Sequence, residues 1–168
     1  MKTIIAAFLF AGSQTAAAAE SPCMTRTEFN DMSLFVLPAL LDGAAAKCQA
    51  YLPANAYLLT GGRTFASRLK VQSDARAEEA IAGFVKIGGS KLPEGVSGAT
   101  LGSFIRDMAR SEPFKKIGAG ECATIDEASE LLAPLPPENL ANLVRLLITQ
   151  STKKDKNPPF RFCPTEAM

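Results

Sequence analysis

Apolar residues recur along this chain at three- and four-residue spacing, the period of helices that bury one face. Phe29, Met32, Phe35, Val36 and Leu40 form the first such run, and Thr25 and Glu28 open it as a capping box. Pro38 lies within the run and predicts a kink or the start of a second helix. Asp42-Gly43 then marks an end, unless Ala44 to Cys48 continue the helix, and Leu52-Pro53-Ala54-Asn55 reads as a loop. Gly61-Gly62 precedes a stretch from Arg63 to Val71 in which Phe65 and Leu69 stand four apart. Ser73-Asp74 predicts an N-cap for a helix with Ala77, Ala80, Ile81, Phe84 and Val85 on one face, closed by Gly88-Gly89 in the left-handed conformation.

Pro93, Gly95 and Gly98 make Ser90 to Thr100 the most flexible-looking stretch. Leu101, Phe104, Ile105 and Met108 predict the next helix, stopped at Glu112-Pro113. After a linker over 115–121, Thr124 and Glu127 form a second capping box, ahead of Ile125, Ala128, Leu131 and Leu132. Pro134 to Pro137 is a turn, and Leu140, Leu143, Val144, Leu147 and Ile148 give the cleanest helical period in the chain. No window alternates apolar and polar over a strand's length. The expected fold is all-α: a compact bundle of about six short helices stapled by two disulfides, preceded by a cleaved signal peptide.

The leader is residues 1–19. Lys2 is its positive charge, Ile4 to Ala11 its apolar stretch, and Ala16 to Ala19 its small residues, with cleavage expected after Ala19. The apolar stretch is about half the roughly 20 residues of a membrane span, and Leu34 to Leu41 contains Pro38 and stops at Asp42. No membrane span is expected after cleavage. The remaining residues, 20–168, read as one helical domain with a polar C-terminal tail from about 151.

Charge narrows the partners. The chain holds 18 basic and 17 acidic residues, and loss of Lys2 with the leader brings them into balance. A neutral chain is poorly suited to capturing nucleic acid or anionic lipid as a whole. Histidine and tryptophan are both absent. That excludes Ser-His-Asp and Cys-His catalysis and every His-ligated metal or haem. Cys23, Cys48, Cys122 and Cys163 are an even set without C-x-x-C spacing, so two disulfides are expected and no metal site. Cys23–Cys48 with Cys122–Cys163 closes the shorter loops and is the favoured pairing, on condition that Pro38 lets the chain reverse. An unbroken helix over 26–47 would force both cysteines onto distant partners.

Three groups of side chains invite a chemical reading. Glu121, Asp126, Glu127 and Glu130 cluster about one helix start. Paired carboxylates hydrolyse glycosidic bonds, although acids in a first turn are ordinary partners of the helix dipole. Arg106 and Arg110 stand four apart, with Lys115 and Lys116 close behind, an arrangement that a shared anion would relieve or that Asp107 and Glu112 balance on a solvated face. Arg63, Arg68, Lys70 and Arg76 form a second basic stretch, in which Phe65 and Leu69 read better as core anchors. Ser67 and Lys70 match S-x-x-K, but the companion S-D-N and K-T-G motifs are missing.

Cys23, Leu37-Pro38-Ala39-Leu40, Cys48, Leu52-Pro53 and the stretch from Leu131 to Asn139 resemble small exported helical proteins of unknown function from Gram-negative bacteria. The resemblance implies a periplasmic helical domain and adds nothing about activity. The expected function is therefore binding, as an accessory or interaction domain, periplasmic or secreted. Its partner would be an envelope protein or small ligand, with no nucleic acid and no cofactor. The alternatives are a small hydrolase of envelope polymers using Glu121 and a second carboxylate, and a carrier of an apolar ligand in a helical cavity.

Overall fold

Thr25 and Glu28 start the first helix as their spacing predicts. In the computed structural model, which describes residues 23–89, 94–152 and 160–163, the Thr25 hydroxyl accepts from the Glu28 N–H at 3.1 Å. The Glu28 carboxylate accepts from the Thr25 N–H at 2.8 Å. The leader read over 1–19 and the tail over 153–159 lie outside the described residues. Helix α1 (Arg26–Cys48) then runs for 23 residues, straight through Pro38 and Asp42-Gly43. Pro38 removes one backbone hydrogen bond but does not end the helix.

This continuity overturns the favoured cysteine pairing. A helix of that length spans roughly 34 Å at 1.5 Å per residue, whereas a disulfide joins Cα atoms about 4.4–6.8 Å apart. Cys23 and Cys48, at opposite ends, each take a distant partner. Cys23 bridges Cys163 with Cα atoms 4.8 Å apart, and Cys48 bridges Cys122 at 5.4 Å.

The other helices are α2 (Tyr57–Thr60), α3 (Gly62–Ala75), α4 (Ala77–Ile87), α5 (Gly98–Ser111), α6 (Ala119–Leu132) and α7 (Pro137–Thr152), with a 3-10 turn over Glu112–Phe114. The described residues thus hold seven helices rather than about six. The additional one, α2, is a single turn too short to show a period. Two elements begin or end where the pattern did not place them. Ser73 does not cap α4; it stays inside α3, fully buried, and its hydroxyl donates to the Phe35 carbonyl at 3.0 Å. The chain breaks instead at Arg76. Thr124 does not cap α6 either. That helix starts earlier, at Ala119, where the Glu121 carboxylate accepts from the Gly118 N–H at 3.0 Å. Gly89 closes α4 with φ +66° as expected, and Pro137 opens α7, the position a helix tolerates best.

Helix α1 is the hub, packed by α3, α4, α5 and α7. A helix covered on several sides must be apolar around much of its circumference, and Leu34 and Phe35 on α1 are almost wholly buried. Three clusters divide the core along its length. Met24, Phe29 and Met32 occupy the N-terminal end. Phe65, Leu69, Ala133 and Leu140 pack beside its middle, and Ala44, Cys48, Leu58 and Cys122 occupy its C-terminal end. Gly43 lets α5 approach: a Cβ there would overlap the Arg110 carbonyl. Strands β1 (Cys23–Met24) and β2 (Arg161–Phe162) form a parallel pair, Cys23 opposite Arg161. Phe160 and Phe162 close on Phe29 at 6.0 and 5.5 Å between ring centroids, which holds residues 160–163 against α1.

Two disulfides, Cys23–Cys163 and Cys48–Cys122, belong to an oxidising, non-cytoplasmic environment. No helix among the described residues is long and apolar enough to cross a membrane.

Candidate functional site

The four basic residues singled out from the sequence do not converge. Arg106 is a packing residue. Its guanidinium lies 4.2 Å from the Phe35 ring centroid and donates to Ser73 at 3.1 Å and Asp74 at 2.9 Å, tying α5 to α3 and α1. With Lys70, it holds the Asp74 carboxyl below the usual Asp range, the Lys70 hydrogen bond acting most strongly. Arg110 and Lys115 share a shallow depression of about 330 Å³ with Lys47. There Arg110 holds Asp107 at 3.3 Å and Lys115 holds Glu112 at 2.5 Å. Lys116 is exposed.

The carboxylates serve the fold. Glu121 caps α6, and hydrogen bonds from its own N–H and that of Gly118 hold its carboxyl below the usual Glu range. A general acid at neutral pH needs the opposite shift. Asp126 accepts from the Leu58 N–H at 2.6 Å and docks α2 onto α6, while Glu127 and Glu130 are exposed. No group of three or more His, Cys, Asp or Glu side chains converges among the described residues.

In the second basic stretch, Phe65 and Leu69 are core residues as their spacing predicts. Arg68 donates to the Ala133 carbonyl. Lys70, the candidate partner of Ser67, is held by Asp74 at 2.5 Å. Arg76 bridges Asp31 at 2.9 Å and Glu138 at 3.3 Å, and the Asp31 hydrogen bond raises its already high pKa.

Two further concave surfaces lie along α1 among the described residues, one at each half. The first is an apolar groove of about 220 Å³ between α4 and α7. Phe29, Met32, Val36, Leu37 and Leu40 form its floor, Phe84 one wall, and Val144 and Ile148 the other. Ser33 is its one polar lining residue. Leu147, one turn from Val144 on α7, is 63% exposed. In sequence these residues are indistinguishable from core, because helical periodicity reports an apolar face and not what covers it.

The second surface is a polar cleft of about 590 Å³ formed by the C-terminal half of α1, the loop after it, α2 and α3. Arg63, read from sequence as part of a basic stretch, lines this cleft with Asp42 and Gln49. Comparison with family models, with characterised proteins and with solved structures finds no match to this chain.

Proposed function

We propose that this chain is an exported, periplasmic or secreted binding module that docks an amphipathic helix of a partner protein in the groove over α1. The three-part leader and the likeness to small exported helical proteins of Gram-negative bacteria support the location. The observation that carries the binding role is the partly buried apolar stripe of Val36, Leu37 and Leu40, which among the described residues lies open between two flanking helices.

The stripe from Phe29 to Leu40 runs for about three helical turns, or roughly 16 Å. A partner helix reads such a trough with apolar anchors three and four residues apart. The groove is open and smaller than the roughly 300–1,000 Å³ of small-molecule pockets, which favours side-chain anchors over an enclosed apolar ligand. The hydrolase alternative needs a carboxyl with raised pKa, and the contacts of Glu121 act in the other direction.

The test places a photo-crosslinking residue at Leu37, in the groove, and at Thr124, exposed on α6, in cells that export the protein. A discrete adduct is expected from position 37 alone, mapping to an amphipathic helix of another protein and lost with Leu40→Glu. The same adduct from both positions, a lipid adduct, or none overturns the docking role; an adduct with a second copy of the chain makes the groove a dimer contact instead. N-terminal sequencing of the exported protein is expected to begin at Glu20.

A further inference from the structure

From the cleft at the other half of α1, we infer a second binding site, for a small zwitterion of the amino-acid or dipeptide class. Asp42 reaches the cleft from α1, Gln49 from the C-cap of that helix and Arg63 from α3, over a floor that includes Ala45, Leu52 and Leu59. Its volume of about 590 Å³ lies within the roughly 300–1,000 Å³ typical of ligand sites, and a few polar groups above an apolar floor is their usual construction.

The charges define the ligand. A carboxylate and a guanidinium line one cleft, so an isolated anion meets Asp42 and an isolated cation meets Arg63. A molecule carrying both an ammonium and a carboxylate satisfies each. The Gln49 amide both donates and accepts, and the apolar floor takes an aliphatic side chain.

Arg63 supplies an independent sign. It stands second in the 14-residue helix α3, where the positive end of the helix dipole disfavours a cation. No acidic residue shares that first turn, and no carboxylate pairs with Arg63 among the described residues. A guanidinium placed there gains most from a carboxylate delivered by a ligand, which it can hold in a two-pronged hydrogen bond. Asp42 retains free capacity, since Arg110, its one cation among the described residues, stands 3.8 Å away.

The walls are held in place. Cys48–Cys122 ties the end of α1 to α6, and the loop after it is fixed by Leu52 N–H on the Cys48 carbonyl at 3.0 Å and Ala56 N–H on the Pro53 carbonyl at 2.9 Å. The site is thus largely preformed, and binding leaves the helices where they are.

The test titrates isotope-labelled protein, both bridges intact, with L-leucine, L-alanyl-L-leucine, N-acetyl-L-leucine and L-leucinamide, and follows the amide signals of Ala45, Ala46, Gln49, Leu52 and Leu59. Saturable shifts are expected with leucine or alanyl-leucine at up to millimolar concentration, and the responding probe separates a free amino acid from a dipeptide. Each blocked leucine is expected to bind at least about tenfold more weakly, the loss of one charge-assisted contact. Arg63→Gln is expected to weaken the zwitterion and remove the discrimination against leucinamide, and Asp42→Asn to do the same for the N-acetyl form. Both side chains are exposed, so unchanged thermal unfolding shows that each variant is folded. No saturable shift with either zwitterion, or equal binding of the blocked forms, overturns the assignment. Neither result touches the groove.

Discussion

Removing the two disulfides one at a time tests the nested topology that an unbroken α1 imposes. Cys48–Cys122 closes a loop with a sequence separation of 74, inside the 140 of Cys23–Cys163. Taken alone, the chain-entropy relation assigns about 4.4 kcal/mol to the inner loop and about 5.0 kcal/mol to the outer one. Nesting levels them. With the inner bridge intact, the outer one closes a circuit of only about 66 residues, and with the outer intact the inner merely divides a ring, so either removal costs roughly 4 kcal/mol of loop entropy. Burial then separates the two. Cys48 and Cys122 are fully buried, whereas Cys23 and Cys163 are half-exposed. Truncating two buried sulfurs adds about 1–3 kcal/mol, by analogy with deleting one buried methylene at each site. Urea unfolding under oxidising conditions is therefore expected to rank Cys48→Ala/Cys122→Ala below Cys23→Ala/Cys163→Ala by that margin. A thiol count before reduction checks the pairing itself: both of these variants should show no free thiol, and Cys23→Ala/Cys48→Ala should show two. Equal stability of the two bridge variants, or a closed Cys122–Cys163 bridge in the last one, would refute the reasoning.

Gly43→Ala is expected to lose about 1–3 kcal/mol, because the steric conflict with the Arg110 carbonyl outweighs the roughly 1 kcal/mol that alanine gains over glycine in a helix; a neutral or stabilising effect in urea would show that α5 moves freely away. Arg76→Ala leaves Asp31, only 4% exposed, without its cation and should cost about 3 kcal/mol, while Asp31→Asn/Arg76→Gln should cost less because no lone charge is buried. Arg106→Ala should destabilise by about 2 kcal/mol through its ring and carboxylate contacts, whereas Lys116→Ala should stay within about 0.5 kcal/mol; matched effects would return Arg106 to the surface cluster. Burial pushes the Glu28 carboxyl up, but the hydrogen bonds from Lys86 and Thr25 outweigh it and hold the group below its usual range. Its folded pKa lies under its unfolded value of about 4.3, so its contribution is complete above that pH and disappears as pH falls through the folded value. Glu28→Gln should flatten this part of the acid unfolding curve, and an unchanged slope would place the transition on other carboxylates.

The helices were readable in the sequence wherever a single residue type had one physical task. Thr25 with Glu28 completes its capping box and Gly89 takes a positive φ, whereas Pro137, read as the last residue of a turn, opens α7. Misreadings came where one residue had two plausible tasks. Ser73 is as good an N-cap as any serine, but its hydroxyl is engaged by the Phe35 carbonyl, 38 positions away in sequence. Pro38 breaks isolated helices, yet neighbours on several sides of α1 offset the one hydrogen bond it removes. Strands β1 and β2 have two residues each, too few for any alternation to show.

Surface chemistry was less legible for a related reason. Sequence proximity grouped Arg106, Arg110, Lys115 and Lys116, but on an α-helix a change of one position turns a side chain by about 100 degrees, and tertiary neighbours then decide its task. Arg106 meets Phe35 and Asp74, while Arg110, one turn on, meets Asp107 and Asp42. Arg63 shows the converse. Nothing nearby in sequence joins it to Asp42 and Gln49; the fold does so by setting the start of α3 beside the end of α1. The uninterrupted course of α1 through Pro38 and Gly43 creates both concave surfaces. Its N-terminal half lays an apolar stripe between α4 and α7, and its C-terminal half and C-cap carry Asp42 and Gln49 into a cleft opposite α3. A chain reversing at Pro38, as the local disulfide pairing requires, would have neither.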